Sequence, residues 1–149
     1  MNPFKSFQVA RLPEIHFGSG SLDELPQILA GYGHHVLLVT GRASLQATPR
    51  WPRLLDGLRA AGLQWQQVTI AGEPSPEMVD AAVHRHRDAP IDVVVGVGGG
   101  SVLDAAKAIA GLLRSGGSVL DHLEGVGRGL PYKGPAVPFV AAPTTAGTG

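Results

Sequence analysis

Val93-Val94-Val95-Gly96-Val97-Gly98-Gly99-Gly100-Ser101-Val102-Leu103-Asp104-Ala105-Ala106-Lys107 is the stretch on which the fold turns. Its first half is a run of β-branched residues interrupted only by glycine, the composition of a strand buried on both faces. A strand is predicted over residues 91–97 and a helix over 102–113. Between them stand three glycines and a serine. A buried strand that passes through bare glycines into a helix leaves free backbone N–H groups beside the positive helix end, with no Cβ to keep an anion away. Gly98, Gly99, Gly100 and Ser101 are therefore candidate phosphate contacts. Ser101 either caps the helix or donates its hydroxyl to the anion. The same glycines would also suit a plain tight turn. The order strand, glycines, helix favours the anion.

This stretch differs from the common dinucleotide fingerprint, which would need glycine at 101, and from the lysine-bearing phosphate loop, since no Gly-Lys-Ser/Thr follows. A search for a ribose-binding acid downstream reaches Asp121. Residues 118–120 are too short and too glycine-flanked for a second buried strand, so Asp121 reads as a solvated loop or helix-cap acid.

Working outward, the chain alternates. A capping box, Ser21-Leu22-Asp23-Glu24, opens a helix that runs to about residue 30 and stops at Gly31. Residues 36–40 form an apolar strand, residues 52–61 a helix ended by Gly62, and residues 64–71 a strand. Ser75-Pro76-Glu77 opens the next helix with a cap, a first-turn proline and an acid at the positive end. Residues 114–135 read as glycine-rich loop with a short helix around 119–123, and residues 136–142 as a last strand. Such βαβ units give an α/β fold, a doubly wound and mostly parallel sheet, here with an N-terminal edge strand or hairpin over residues 4–17. All of residues 1–149 read as one domain. Ligands on such sheets bind at the carboxyl ends of the strands, where the stretches at 40–41, 72–75, 98–101 and 143–149 fall.

Composition narrows the function. The chain has 149 residues, no net charge and 44% hydrophobic residues. A neutral chain has no field to hold a polyanion, so no nucleic-acid partner is expected. The absence of cysteine excludes disulfides, thiolate zinc sites and cysteine nucleophiles. With no apolar run of the length a membrane helix needs and no secretory signal, the expectation is a cytoplasmic protein with no membrane partner. Of the six histidines, His84 and His86 are two apart on a helix and point to different faces, and His34-His35 reads as a solvated turn. No metal site is expected in these residues.

The chain ends in Phe139-Val140-Ala141-Ala142-Pro143-Thr144-Thr145-Ala146-Gly147-Thr148-Gly149, a strand and a hydroxyl-rich turn. Stopping inside this turn is what a truncated protein would show. Gly98-Gly99-Gly100-Ser101-x-x-Asp104-x-Ala106-Lys107 and Pro143-Thr144-Thr145-Ala146-Gly147-Thr148-Gly149 together resemble the iron-containing (group III) alcohol dehydrogenases, with maleylacetate reductase a close relative. Phe17-Gly18-x-Gly20-x-Leu22, Leu38-Val39-Thr40 and Gly72-Glu73-Pro74-Ser75-Pro76 match the same family in the same order. The glycine-serine and Pro-Thr-Thr motifs are specific as a pair, and the others are weak singly.

The resemblance implies the Rossmann-like, NAD- or NADP-binding half of an enzyme that moves hydride between nicotinamide and an alcohol or aldehyde. Fe²⁺ or Zn²⁺ would be held by a helical C-terminal half that is absent here, so the chain itself is expected not to turn over. By the same resemblance, Gly99, Gly100 and Ser101 would lie on the pyrophosphate and Asp104 near the nicotinamide. Thr144, Thr145 and Thr148 would line the adenosine and phosphate side. Lys107 one turn beyond Asp104 would equally suit a plain ion pair along the helix. The position after Leu38-Val39-Thr40 often carries a ribose-binding aspartate in NAD-preferring members. Here it is Gly41, followed by Arg42 and Ser44, so NADP(H) should be accepted. Two alternatives stand beside this. One is a dehydroquinate-synthase-like lyase of the same superfamily. The other is a non-catalytic nucleotide-binding module. A homo-oligomer is expected in any case.

Overall fold

The computed structural model describes residues 12–146. A four-stranded sheet runs in the order β2-β1-β3-β4, with β1 at His35–Gly41, β2 at Gln64–Ile70, β3 at Val93–Gly98 and β4 at Phe139–Pro143. Every pairing is parallel. The helices are α1 (Leu25–Ala30), α2 (Arg50–Ala60), α3 (Pro76–His86) and α4 (Gly100–Ser115). The α/β, doubly wound reading holds.

The winding follows from side-chain alternation. Val36, Leu38, Val93, Val95 and Val97 join Leu25, Leu29, Leu54 and Leu58 of α1 and α2 on one face. Leu37, Val39 and Val94 join Val79 and Val83 of α3 and Ala105, Ala106 and Ile109 of α4 on the other. Val93, Val94, Val95 and Val97 are fully buried, each worth about 1.5–3 kcal/mol of apolar transfer. The outer strand β2 keeps polar residues on its exposed positions, which is why its sequence is less plainly a strand.

Glycine sets how close α4 lies. A Cβ at Gly96 would stand 2.9 Å from Ala106 Cβ, and one at Gly98 would stand 2.7 Å from Val102. These two positions share the α4 face with Val94, so the helix start drops directly onto the end of β3.

Three local details differ from the sequence reading. Ser21–Glu24 is a 3-10 turn begun by Gly20 with no side-chain cap, and the Glu24 carboxylate instead meets His16. The capping box forms elsewhere. The Ser118 hydroxyl accepts from Leu120 N–H and Asp121 accepts from Ser118 N–H, opening the short turn Val119–Asp121. Of the expected edge strand over residues 4–17, residues 12–17 join no sheet and residues 1–11 lie outside the described part.

Candidate nucleotide site at the carboxyl edge

The strand order reverses between β1 and β3. The connection from β1 leads to β2 on one side, whereas β3 leads to β4 on the other. Such a switch point opens a crevice at the carboxyl ends of the two strands. Thr40 pairs with Val97 across it, so the exits at Gly41 and Gly98 share one edge.

At the β3 exit, Gly99 is the N-cap of α4 with extended backbone, and its carbonyl accepts from Val102 and Leu103 N–H. The N–H groups of Gly99, Gly100 and Ser101 have no protein acceptor among the described residues. Space above Gly100 is open, with no atom within 4 Å of a Cβ built there. β4 closes the far side, because Thr144 N–H donates to Gly98 O at 2.9 Å and Thr145 lies 3.6 Å from a Cβ placed on Gly99. Gly98, Gly99, Gly100, Ser101, Thr144 and Thr145 thus meet around one helix start. Thr148 lies outside the described residues.

Ser101 does not cap α4, since a residue already inside the helix turns its side chain outward and Gly99 holds the cap position. Its hydroxyl donates to Glu73 Oε1 at 2.9 Å. Glu73 follows β2 and reaches across to the positive end of α4, where a carboxylate is favoured. No sequence argument gave Glu73 a role, although its place just past a strand's carboxyl end was the available signal. Asp104 is exposed on α4, and it makes no ion pair with the equally exposed Lys107.

At the β1 exit, Gly41 stands 3.7 Å from Val102 and 3.9 Å from the Ser44 hydroxyl, measured from a Cβ placed on it. A Cβ therefore fits at position 41 in ordinary contact with its neighbours. Arg42 and Ser44 are exposed beside it. Beneath them Thr40 is fully buried and its hydroxyl accepts from Gln46 and Gln67, both at 3.0 Å. That cluster also escaped the sequence reading, because contacts between separate elements leave no periodic trace.

Other titratable groups lie away from this edge. Asp121 is held below the usual carboxylate range by the Ser118 N–H and then by Arg128. His86 is buried, its Nδ1 is 2.6 Å from Gln66 Oε1, and burial followed by the Arg85 charge lowers its pKa. His84 is exposed on the other face of α3. Among the described residues no three His, Asp or Glu side chains converge as metal ligands. No helix among them is long and apolar enough to cross a membrane.

A parallel, doubly wound sheet with glycines at its switch point defines a Rossmann-like α/β unit. Residues 13–149 match the sequence model of the iron-containing alcohol dehydrogenases. The chain belongs to that family. It is 39% identical over 147 residues to the long-chain-alcohol dehydrogenase 1 of Geobacillus thermodenitrificans, covering 95% of this chain and 36% of that protein. The NADH-dependent butanol dehydrogenase A of Thermotoga maritima superimposes with a TM-score of 0.82 at 27% identity, over 92% of this chain and 34% of that one. Sulfoacetaldehyde reductase of Bifidobacterium kashiwanohense, solved with NAD⁺, gives 0.78 at 26% identity, over 97% and 37%. The chain spans about a third of the length of these relatives.

Proposed function

We propose that this chain is the NAD(P)-binding part of a metal-dependent alcohol dehydrogenase acting on an alcohol–aldehyde pair. The observation that carries the reading is the start of α4, where three N–H groups have no protein acceptor among the described residues and a Cβ placed on Gly100 would meet no atom within 4 Å. Those groups and the helix dipole would hold the pyrophosphate. Thr144, Thr145 and Thr148 would donate hydroxyls along it, and Asp104 would lie toward the nicotinamide end. A bound dinucleotide supplies hydride exchange with the substrate carbon. The described residues would hold and orient that group. Iron or zinc ligation and substrate selection belong to other parts of the protein. Residues 1–149 alone should therefore bind cofactor without turnover, and an isolated chain oxidising alcohol at an ordinary enzymatic rate would contradict this.

At the adenosine end, Gly41 removes the charge that would repel a 2′-phosphate, and Arg42 and Ser44 are placed to pair with one. NADPH should therefore bind at least as tightly as NADH. Nicotinamide fluorescence titrations of both cofactors test both claims. Failure of both to bind would remove the function, and tighter NADH would reverse the preference. Gly41→Asp should shift the ratio toward NADH, since a Cβ at position 41 meets only ordinary contacts and the added carboxylate would repel a 2′-phosphate. The same proposal includes a homo-oligomer, for which a monomeric mass in light scattering would be contrary evidence.

A further inference from the structure

The loop between β1 and α2 is pinned from three sides. Leu45 is buried among the leucines of α1 and α2. Thr48 donates its hydroxyl to Leu45 O at 2.7 Å, and Ala47 N–H donates to Ala43 O at 2.9 Å. Gln46 turns back beneath the loop. Its Nε2 donates to Thr40 Oγ1 and to Gly41 O, both at 3.0 Å. Gln67, from the neighbouring strand β2, donates to the same Thr40 oxygen at 3.0 Å.

The arrangement is costly for a surface turn. Gln46 Oε1 is buried and has no hydrogen-bond partner among the described residues. An unsatisfied buried acceptor is destabilising, and an apolar side chain at 46 would avoid it. What the amide secures is the exit of β1, since one nitrogen ties the last buried hydroxyl and the Gly41 carbonyl to a residue five positions on. Arg42 and Ser44 are the exposed residues of the bridged segment, and Arg42 makes no ion pair among the described residues. An arginine on a fixed backbone recognises a phosphate at lower entropic cost than one on a mobile loop.

We propose that Gln46, acting through Thr40 and the Gly41 carbonyl, is a positioning residue for discrimination between phosphorylated and unphosphorylated dinucleotides. It sets where Arg42 and Ser44 stand relative to the adenosine ribose and does not touch the cofactor. This rests on the reading of Gly41 and Arg42 given above.

The test uses the full natural chain and measures dissociation constants for NADPH and NADH by nicotinamide fluorescence. Gln46→Leu should weaken NADPH about tenfold, the size of a lost charge-assisted contact. NADH should stay within about twofold of the parent by the same arithmetic. Arg42→Ala should give the same selective loss, and the double variant should be no worse than either single one, because both changes remove one interaction. Thr40→Ser, which keeps the accepting hydroxyl, should preserve the parent ratio, whereas Thr40→Val should reproduce Gln46→Leu even if that variant folds poorly. Parallel loss of both cofactors would mean a merely structural role and would overturn the proposal, as would an unchanged ratio. A parent protein that binds neither cofactor would instead sink the nucleotide reading itself.

Discussion

At the amino end of the sheet, Asp92 accepts from the N–H groups of His34 and His35 at 2.8 and 2.9 Å, and its own N–H donates to His35 O at 2.8 Å. The carboxylate approaches so closely that only glycine fits at position 33. At the carboxyl end, the N–H groups of Gly99, Gly100 and Ser101 have no such partner among the described residues. One end of the sheet closes its backbone hydrogen bonds within the protein, and the other leaves donors without a protein acceptor among the described residues. Closed donors clasp β1 to β3 and stabilise. Donors without a protein acceptor contribute no stability and are available to a ligand. Glu73 is intermediate: it reaches the helix start but takes only the Ser101 hydroxyl.

Substitutions should separate the two roles. The largest effect is expected at Gly98→Ala, whose Cβ would overlap Val102 and should cost about 1–3 kcal/mol of stability. Gly100→Ala meets no atom within 4 Å, so its thermal midpoint should stay near the parent's while cofactor binding weakens. Equal melting losses in the two variants would erase the distinction between packing glycines and open ones.

Next comes the clasp. Asp92→Ala should cost about 1–2 kcal/mol, allowing for a carboxylate that water partly screens. The His35 N–H chiefly, then the His34 N–H and the His35 side chain, hold the Asp92 pKa below its usual value. Its stabilisation is therefore complete above the ordinary aspartate range and is lost as pH falls through the lowered value. Chemical unfolding followed downward from pH 5 should be steeper in the parent than in Asp92→Ala, and identical acid limbs would refute the clasp.

A smaller effect is expected from His86. Burial favours its neutral form in the fold, so the unfolded chain takes up a proton first as pH falls below about 6.5. Stability should be full above that value and decline below it, and His86→Gln should flatten the decline in melts at pH 7.5 and 5.5. The mildest change is Glu73→Gln. Removing a carboxylate beside the helix start should tighten dinucleotide binding about two- to threefold at low salt, and less at high salt. Weaker binding in this variant would show that Glu73 helps hold the ligand.

Much of this molecule was legible in advance because two local signals agree. Val93 to Val97 can only be a buried strand, and glycines followed by a helical pattern can only bend the chain over its end. The motif from Gly98 to Lys107 with the Pro-Thr-Thr turn carried the family. Individual roles were less legible. Gly98 and Gly100 look alike in sequence, yet one lies under Val102 and the other faces open space. Ser101 suits either a cap or an anion contact in sequence, and Gly99 has the cap position. Ser21 and Glu24 have capping-box spacing, but the box forms at Ser118 and Asp121.

The sequence by itself determined the alternation of elements, the parallel sheet and the edge where a ligand would sit. These depend on periodicity and turn chemistry within a few residues. The tertiary structure alone decided that β1 and β3 are neighbours, that Glu73 of one connection meets Ser101 of another, and that Gln46 and Gln67 share the Thr40 hydroxyl. The Glu73–Ser101 contact joins residues 28 positions apart, and the pairing of β1 with β3 joins residues still farther apart in the chain. They exist because burying the valines of β3 between two helical layers brings distant strand ends together, and no local pattern encodes that meeting.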